Sequence, residues 1–321
     1  MIIKPLKIPR SLKQLQAIKR RLDPQHPKYD AVLQDLAIQT AGYKGEKEME
    51  YPLSFLHAQT YRIFHDLRLH DGIHFFQIDV LLLSQSFITI LEVKNIAGTL
   101  RFDTDFNQLI RIQNDMEEPF PNPIMQVKRQ RLQLMNWLRK NNLPNLPIQE
   151  FVAIGNPRTM LQASQKNSKI HNKVLHSQTI PFKISELEKV YQKEILSSQQ
   201  LTELSVKLLS AHTDLEKNMM VKHQISTENI LPGVYCIKCS KLSMRRLKNS
   251  MWVCGICEIT SNDAHIEALK DYAYIFKNLI SNREAKSFLN LSSSSTVKRL
   301  LKSVGYETEG NRRSTVYKIT I

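Results

Sequence analysis

The sequence predicts an α/β fold: a helix, three strands, a helix and a further strand, followed by helical extensions and small C-terminal modules. Three observations predict it. Two short, apolar, β-branched runs flank Ser84-Gln85-Ser86 and read as the buried strands of a hairpin. Asn122-Pro123 opens a helical pattern, with Asn as N-cap and Pro at the first helical position. An apolar run over 148–154 ends at Gly155-Asn156-Pro157, the punctuation of a strand end.

Taken in order, residues 1–37 read as helical after Pro9, broken at Pro24 and Pro27. Residues 42–57 read as a helix carrying Glu46, Glu48 and Glu50. Strands are expected at about 60–68, 75–84 and 87–95, and a further hairpin over 99–114, where polar and apolar residues alternate. The helix after Asn122 extends to about Arg139, with Val127, Leu132, Leu134 and Trp137 on its apolar side. Residues 158–183 are polar and ambiguous. Residues 184–222 read as two helices, and 223–232 as a linker ending in Pro232-Gly233.

Composition narrows the partners. The 321 residues carry a formal net charge of +15, which suits a polyanion such as nucleic acid or an anionic membrane surface. Residues 1–22 hold seven basic residues and no acidic one, and residues 233–321 hold fifteen Lys/Arg against seven Asp/Glu. No apolar run reaches the roughly 18 residues of a membrane span, and the basic N-terminus lacks the apolar stretch of a secretory signal. The expectation is a cytoplasmic protein that meets DNA, with RNA left open, and no membrane.

The hairpin concentrates charge at its open end. With Gln85-Ser86 as the turn, Asp79 lies opposite Glu92, and Lys94 points to the same face two residues on. Adjacent carboxylates repel unless a cation sits between them, and a hard divalent ion takes oxygen ligands. A salt bridge between Lys94 and one acid at a strand end is the plainer alternative.

Asp79-x12-Glu92-x-Lys94, preceded by Gly42-Tyr43-Lys44-Gly45-Glu46 and Gln77-Ile78-Asp79 and followed by Asn122-Pro123-x-x-Gln126, resembles the nuclease-related domain of the PD-(D/E)xK nuclease superfamily over roughly residues 38–157. That resemblance implies a restriction-endonuclease-like core and hydrolysis of DNA phosphodiester bonds. It implies Mg²⁺ or Mn²⁺ on Asp79 and Glu92, with the Val93 carbonyl as a further ligand, and assistance from Lys94. Glu46 is the fourth candidate, with Glu50 four residues on as its substitute. Gln126 and Gln130 share a helix face beside Lys128 and Arg129, where phosphate contact competes with a solvated polar face. Gln77 is a further candidate, for contact with DNA or with the metal-bound water.

Cys236-x2-Cys239-x14-Cys254-x2-Cys257 uses every cysteine of the chain. The spacing gives two knuckles and a closed thiolate site for structural Zn²⁺. Lys241, Arg245, Arg246, Lys248 and Trp252 lie between the knuckles. A basic loop with an aromatic resembles the zinc ribbons of topoisomerases, which implies base stacking and phosphate contact. Two helical patterns and two short strands follow. They resemble a winged helix-turn-helix, with Lys298 and Arg299 toward the groove and Arg312 and Arg313 on the wing.

The expected organisation is a basic helical extension (1–37), a nuclease-like domain (38–157), a mostly helical extension (158–222), a linker (223–232), a zinc ribbon (233–260) and a helix-turn-helix-like domain (261–321). The leading expectation is a Mg²⁺-dependent nuclease. The alternative is a non-catalytic DNA-binding protein that retains the nuclease shell.

Overall fold

The structure is a computed structural model of the chain, described over residues 1–321 except 104, 165–168, 248–250 and 311–314. The chain opens with β1 (Ile2–Lys4), α1 (Arg10–Arg21), α2 (Tyr29–Glu48) and the short α3 (Glu50–Leu53). Strands β2 (Arg62–His70), β3 (Phe75–Leu83), β4 (Ile88–Lys94), β5 (Thr99–Asp103), β6 (Gln108–Gln113) and β7 (Met116–Phe120) follow. Next come α4 (Pro123–Lys140), β8 (Ile148–Ile154), β9 (Met160–Ala163), β10 (Val174–His176), α5 (Ile180–Val190), α6 (Ser198–Ser210) and α7 (Met219–Lys222). The C-terminal region comprises β11 (Met244–Arg246), β12 (Trp252–Cys254), β13 (Thr260–Ser261), α8 (Ala264–Ile275), β14 (Leu279–Ser281), α9 (Asn282–Phe288), α10 (Ser294–Ser303), β15 (Glu307–Glu309) and β16 (Val316–Lys318).

Two compact units result: Met1–Lys7 with Ala41–Leu215, and Ile8–Thr40 with Glu216–Ile321. In the first, six strands form a mixed sheet in the order β1-β2-β3-β4-β8-β10. Both faces of this sheet are covered, which is why β3 and β4 read as near-continuous apolar runs. On one face Leu81, Ile90 and Val152 pack with Val127, Leu134 and Trp137 of α4. On the other, Val80, Leu91 and Ala153 pack with Met49, Leu53, Ile180 and Ile184. A separate sheet, β7-β6-β5-β9, carries the expected hairpin and two strands beyond it.

The β3–β4 turn is the two-residue loop expected: Leu83 pairs Ile88, and the Ser84 amide donates to the Phe87 carbonyl at 3.1 Å. The Ser84 hydroxyl accepts from the Phe87 amide at 3.1 Å, so a polar side chain closes the loop. Asn122 caps α4, its carboxamide oxygen accepting from the Ile124 amide at 2.9 Å, and Pro123 starts the helix.

Several boundaries differ from the expected ones. Residues 1–37 are not one helical extension. β1 pairs in parallel with β2, whereas α1 belongs to the second unit, where Leu15, Ala17 and Ile18 join its core. The helix expected at 42–57 starts at Tyr29, because nothing after Pro27 breaks it and Gly42 and Gly45 are tolerated inside. The segment 158–222 opens with strands: β9 pairs β5, and β10 pairs β8. Residues 223–232 do not form a free linker. Ile225 and Ile230 are buried, and the Leu231 amide donates to the Arg21 carbonyl at 2.8 Å.

The second unit also holds the three-stranded sheet β11-β12-β13 and the sheet β14-β16-β15 beside α8, α9 and α10. Ser281 and Glu284 form a capping box on α9. Among the described residues no helix is long and apolar enough to cross a membrane.

Candidate active site and metal centre

Register places the acids. Val80 pairs Leu91, so Asp79 falls opposite Glu92. On the other side of β3, His65 pairs Val80 and Leu67 pairs Ile78, so Asp66 falls opposite Asp79. Three carboxyl-bearing residues thus stand in a row across three adjacent strands. Asp66 adopts φ 52°, a conformation uncommon outside glycine that coincides with the gap in the β2–β3 ladder.

Each acid is held by a specific donor. Asp79 accepts from the Val93 amide at 2.8 Å. Glu92, 1 % exposed, accepts from Lys94 Nζ at 2.6 Å on one oxygen and from Gln130 Nε2 at 2.7 Å on the other. Gln130 Nε2 also donates to the Gln77 carbonyl at 2.8 Å, while its buried Oε1 has no partner among the described residues. Lys94 reaches Gln126 Oε1 at 3.2 Å. Gln77 donates to Asp66, and Lys4 lies 4.0 Å from the same carboxylate.

Glu46 arrives from α2. A Cβ on Gly45 would collide with Asn95 Cβ, so only glycine lets the helix approach this closely. The Asn95 carboxamide donates to the Ala41 carbonyl at 2.9 Å and fastens the helix there. Glu46 lies near the C-terminal end of α2, not in a first turn, so the helix dipole does not stabilise it. Glu50 is exposed and begins a different helix.

Acids outnumber cations here, and burial with mutual repulsion raises their carboxyls. Burial pushes the Glu46 carboxyl up to about 7, and the Asp66 and Glu92 charges add to the rise. Burial also raises Asp79 well above the usual carboxylate range, with Glu92 and Glu46 next in effect. Asp66 is raised by burial against the pull of Lys4. Carboxylates that repel one another at a half-buried site suit a hard cation. The residues that could hold such an ion are Asp79 and Glu92. Asp66 was not singled out from the sequence, where a lone acid in an apolar strand carries no motif. Gln130, expected at phosphate or on a solvated polar face, is instead buried against Glu92. Its signal is the i,i+4 spacing from Gln126.

Lys128 and Arg129 are exposed on α4 and form no ion pair among the described residues. Lys298 and Arg299 are exposed on α10, Arg245 is exposed on β11, and Arg246 is half-buried beside it. Trp252 needs correction as a base-stacking residue. It is 1 % exposed, stacked on His265 and donating to His265 Nδ1 at 3.3 Å, with Arg246 over its ring. Alternation along β12 points it inward with the flanking Cys254. Lys248, Arg312 and Arg313 lie outside the described residues.

The four cysteines converge, their sulfurs all within 4.8 Å of one another. Cys236 Sγ lies 3.6 Å from Cys257 Sγ, and Cys239 Sγ lies 3.5 Å from Cys254 Sγ. Tetrahedral zinc thiolates would stand about 3.8 Å apart, given Zn–S of about 2.3 Å. Ser240 and Glu258, each four residues past a first knuckle cysteine, take φ 58° and 59° and turn the chain back. Burial raises the Cys254 thiol, but the Ser243 hydroxyl and the Cys257 and Ile256 amides outweigh it and bring it to about 5. This arrangement is compatible with a zinc site.

No curated protein and no solved structure matches the chain. Residues 41–155, which carry Glu46, Asp79, Glu92, Lys94 and Gln126, match the family model of the nuclease-related domain.

Proposed function

We propose that the chain is a divalent-metal-dependent nuclease that hydrolyses DNA phosphodiester bonds. The observation that carries this reading is the row Asp66, Asp79 and Glu92 across β2, β3 and β4, with Lys94 beside it, inside a region that matches a nuclease-related family. Asp79 and Glu92 would hold a Mg²⁺-type ion, which supplies Lewis-acid charge at a scissile phosphate. Val93 fixes the Asp79 carboxylate through its amide, and Gln130 fixes Glu92. Lys94 Nζ, held between Glu92 and Gln126, would orient a water and offset negative charge growing on phosphate. Glu46 lies close enough to this group to feel the Glu92 and Lys94 charges and would complete the acidic wall. Lys128 and Arg129 would contact the substrate backbone.

The second unit is read as the targeting part. Its four cysteines would hold structural Zn²⁺. The order α8, β14, α9, α10, β15, β16, with β14 and β15 both pairing β16, supports a winged helix that binds DNA. In that reading Lys298 and Arg299 face the nucleic acid.

A second reading, DNA binding without catalysis, draws on the Glu92 carboxylate, both of whose oxygens are tied to protein donors. Incubating purified protein with plasmid and linear DNA in Mg²⁺, Mn²⁺ or EDTA separates the two. Metal-dependent cleavage supports the nuclease. Binding with no cleavage in any metal supports the alternative.

A further inference from the structure

Within the second unit, a cleft of about 590 Å³ opens between the four-cysteine hairpin and the turn joining α9 to α10. An adjoining recess of about 190 Å³ continues it along α10. Arg246 lines both spaces. Arg245 lines the larger one and Arg299 the smaller. None of the three arginines has an ion-pair partner among the described residues, although other basic residues of this unit are paired, as Lys270 with Glu267 and Lys277 with Glu284. Arg246 Nη1 is buried and makes no hydrogen bond among the described residues. The Arg246 and Arg299 guanidiniums lie close enough for one charge to disfavour the other. Buried donors are ordinarily satisfied, and like charges are ordinarily kept apart. A buried free donor on Arg246 with Arg299 lining the same recess suits an anion.

We propose that this cleft grips the phosphodiester backbone of a nucleic-acid strand, with Arg245, Arg246 and Arg299 as the clamp. The inference rests on the reading that the second unit binds nucleic acid, and it names where and through what chemistry. Guanidinium suits phosphate because its planar donors bond two oxygens at once. The cleft is polar at the Ser292 and Thr296 end, which suits a charged backbone better than a buried apolar ligand. Trp252 contributes indirectly, as the inward ring over which Arg246 is laid.

The test measures binding of a labelled 20-nucleotide single strand and its duplex by fluorescence anisotropy. The full chain carries Asp79→Ala so that the probe survives. Cleavage is not read, so failure of the catalytic reading imitates neither outcome. Arg246→Met and Arg299→Ala should each weaken binding by roughly tenfold. Each should also lower the slope of log affinity against log salt by about one. Lys302→Ala, an exposed charge on the same helix that does not line the cleft, should change affinity by less than about twofold. Arg299 is exposed, so its variant carries the test if Arg246→Met disturbs the hairpin. Wild-type affinity in the Arg299→Ala protein, or an equal loss in Lys302→Ala, would overturn the clamp. No binding of either probe by the parent protein would overturn the choice of ligand.

Discussion

Replacing Gln130 by leucine removes the one side chain that bridges α4 to both β3 and β4 at the acidic row. Its Nε2 donates to buried Glu92 at 2.7 Å and to the Gln77 carbonyl at 2.8 Å. A buried bond to a charged acceptor contributes about 1.5–3 kcal/mol, and one to a neutral carbonyl about 1 kcal/mol. Leucine also removes the unpartnered Gln130 Oε1, which returns about 1 kcal/mol. The net loss is about 1.5–3 kcal/mol, confined to the unit that holds the sheet. Trp137 lies in that unit and Trp252 in the other, so urea unfolding followed by fluorescence in a Trp252→Phe background isolates the effect. The midpoint should fall by about 1 M urea with an unchanged slope. DNA cleavage should fall 10- to 100-fold, the usual cost of losing a group that orients a metal ligand. Gln126→Leu, whose partner is the partly exposed Lys94, should leave the midpoint nearly unchanged. A Gln130→Leu protein as stable as its parent within about 0.5 kcal/mol would refute the claim that Gln130 holds Glu92 in place.

Other outcomes follow from the same geometry. Glu46 is raised to about 7 from an unfolded value near 4.5, so the folded state holds extra protons between those values and loses stability as pH rises through them. Glu46→Gln should therefore stabilise the metal-free protein by about 1–2 kcal/mol at pH 8, after discounting for solvent screening, and by little at pH 5; a gain independent of pH would contradict this. Gly45→Ala would ordinarily favour a helix, but its Cβ meets Asn95 Cβ, so it should destabilise, and Asn95→Gly should restore part of the loss in a double-variant cycle. The protein should contain one zinc per chain by elemental analysis, and Cys254→Ser should lose it together with the order of β11–β13, seen as a red shift of Trp252 emission; a zinc-free native protein with all four thiols titratable would sink the site.

Much of the geometry of the acidic row was legible because the hairpin encodes its own register. Ser84-Gln85-Ser86 sets a two-residue turn, and that alone puts Asp79 opposite Glu92. Asn122-Pro123 likewise announced α4 through local capping chemistry. Asp66 was illegible because its place depends on β2 pairing across a loop from β3, and its positive φ leaves no mark in the composition. Gln130 reads as a phosphate contact or a solvated position, since its place on the helix shows polarity but not that Glu92 lies beneath it. Trp252 was misread because a basic loop with one aromatic looks the same whether the ring faces solvent or core; alternation along β12 beside buried Cys254 decides it. The division into units escaped because α1 packs with residues some 250 positions away, as the buried Arg21–Asp271 ion pair at 3.0 Å shows. Such long-range pairing leaves no periodic signal in one sequence.

The most direct test of the central claim is the metal-dependent cleavage of supercoiled plasmid by the purified full chain, compared with its Asp79→Ala and Lys94→Ala variants. The account predicts cleavage in Mg²⁺ or Mn²⁺, none in EDTA, and loss of cleavage in both variants with DNA binding retained. Cleavage by Asp79→Ala at the parent rate, or cleavage undiminished by EDTA, would contradict it.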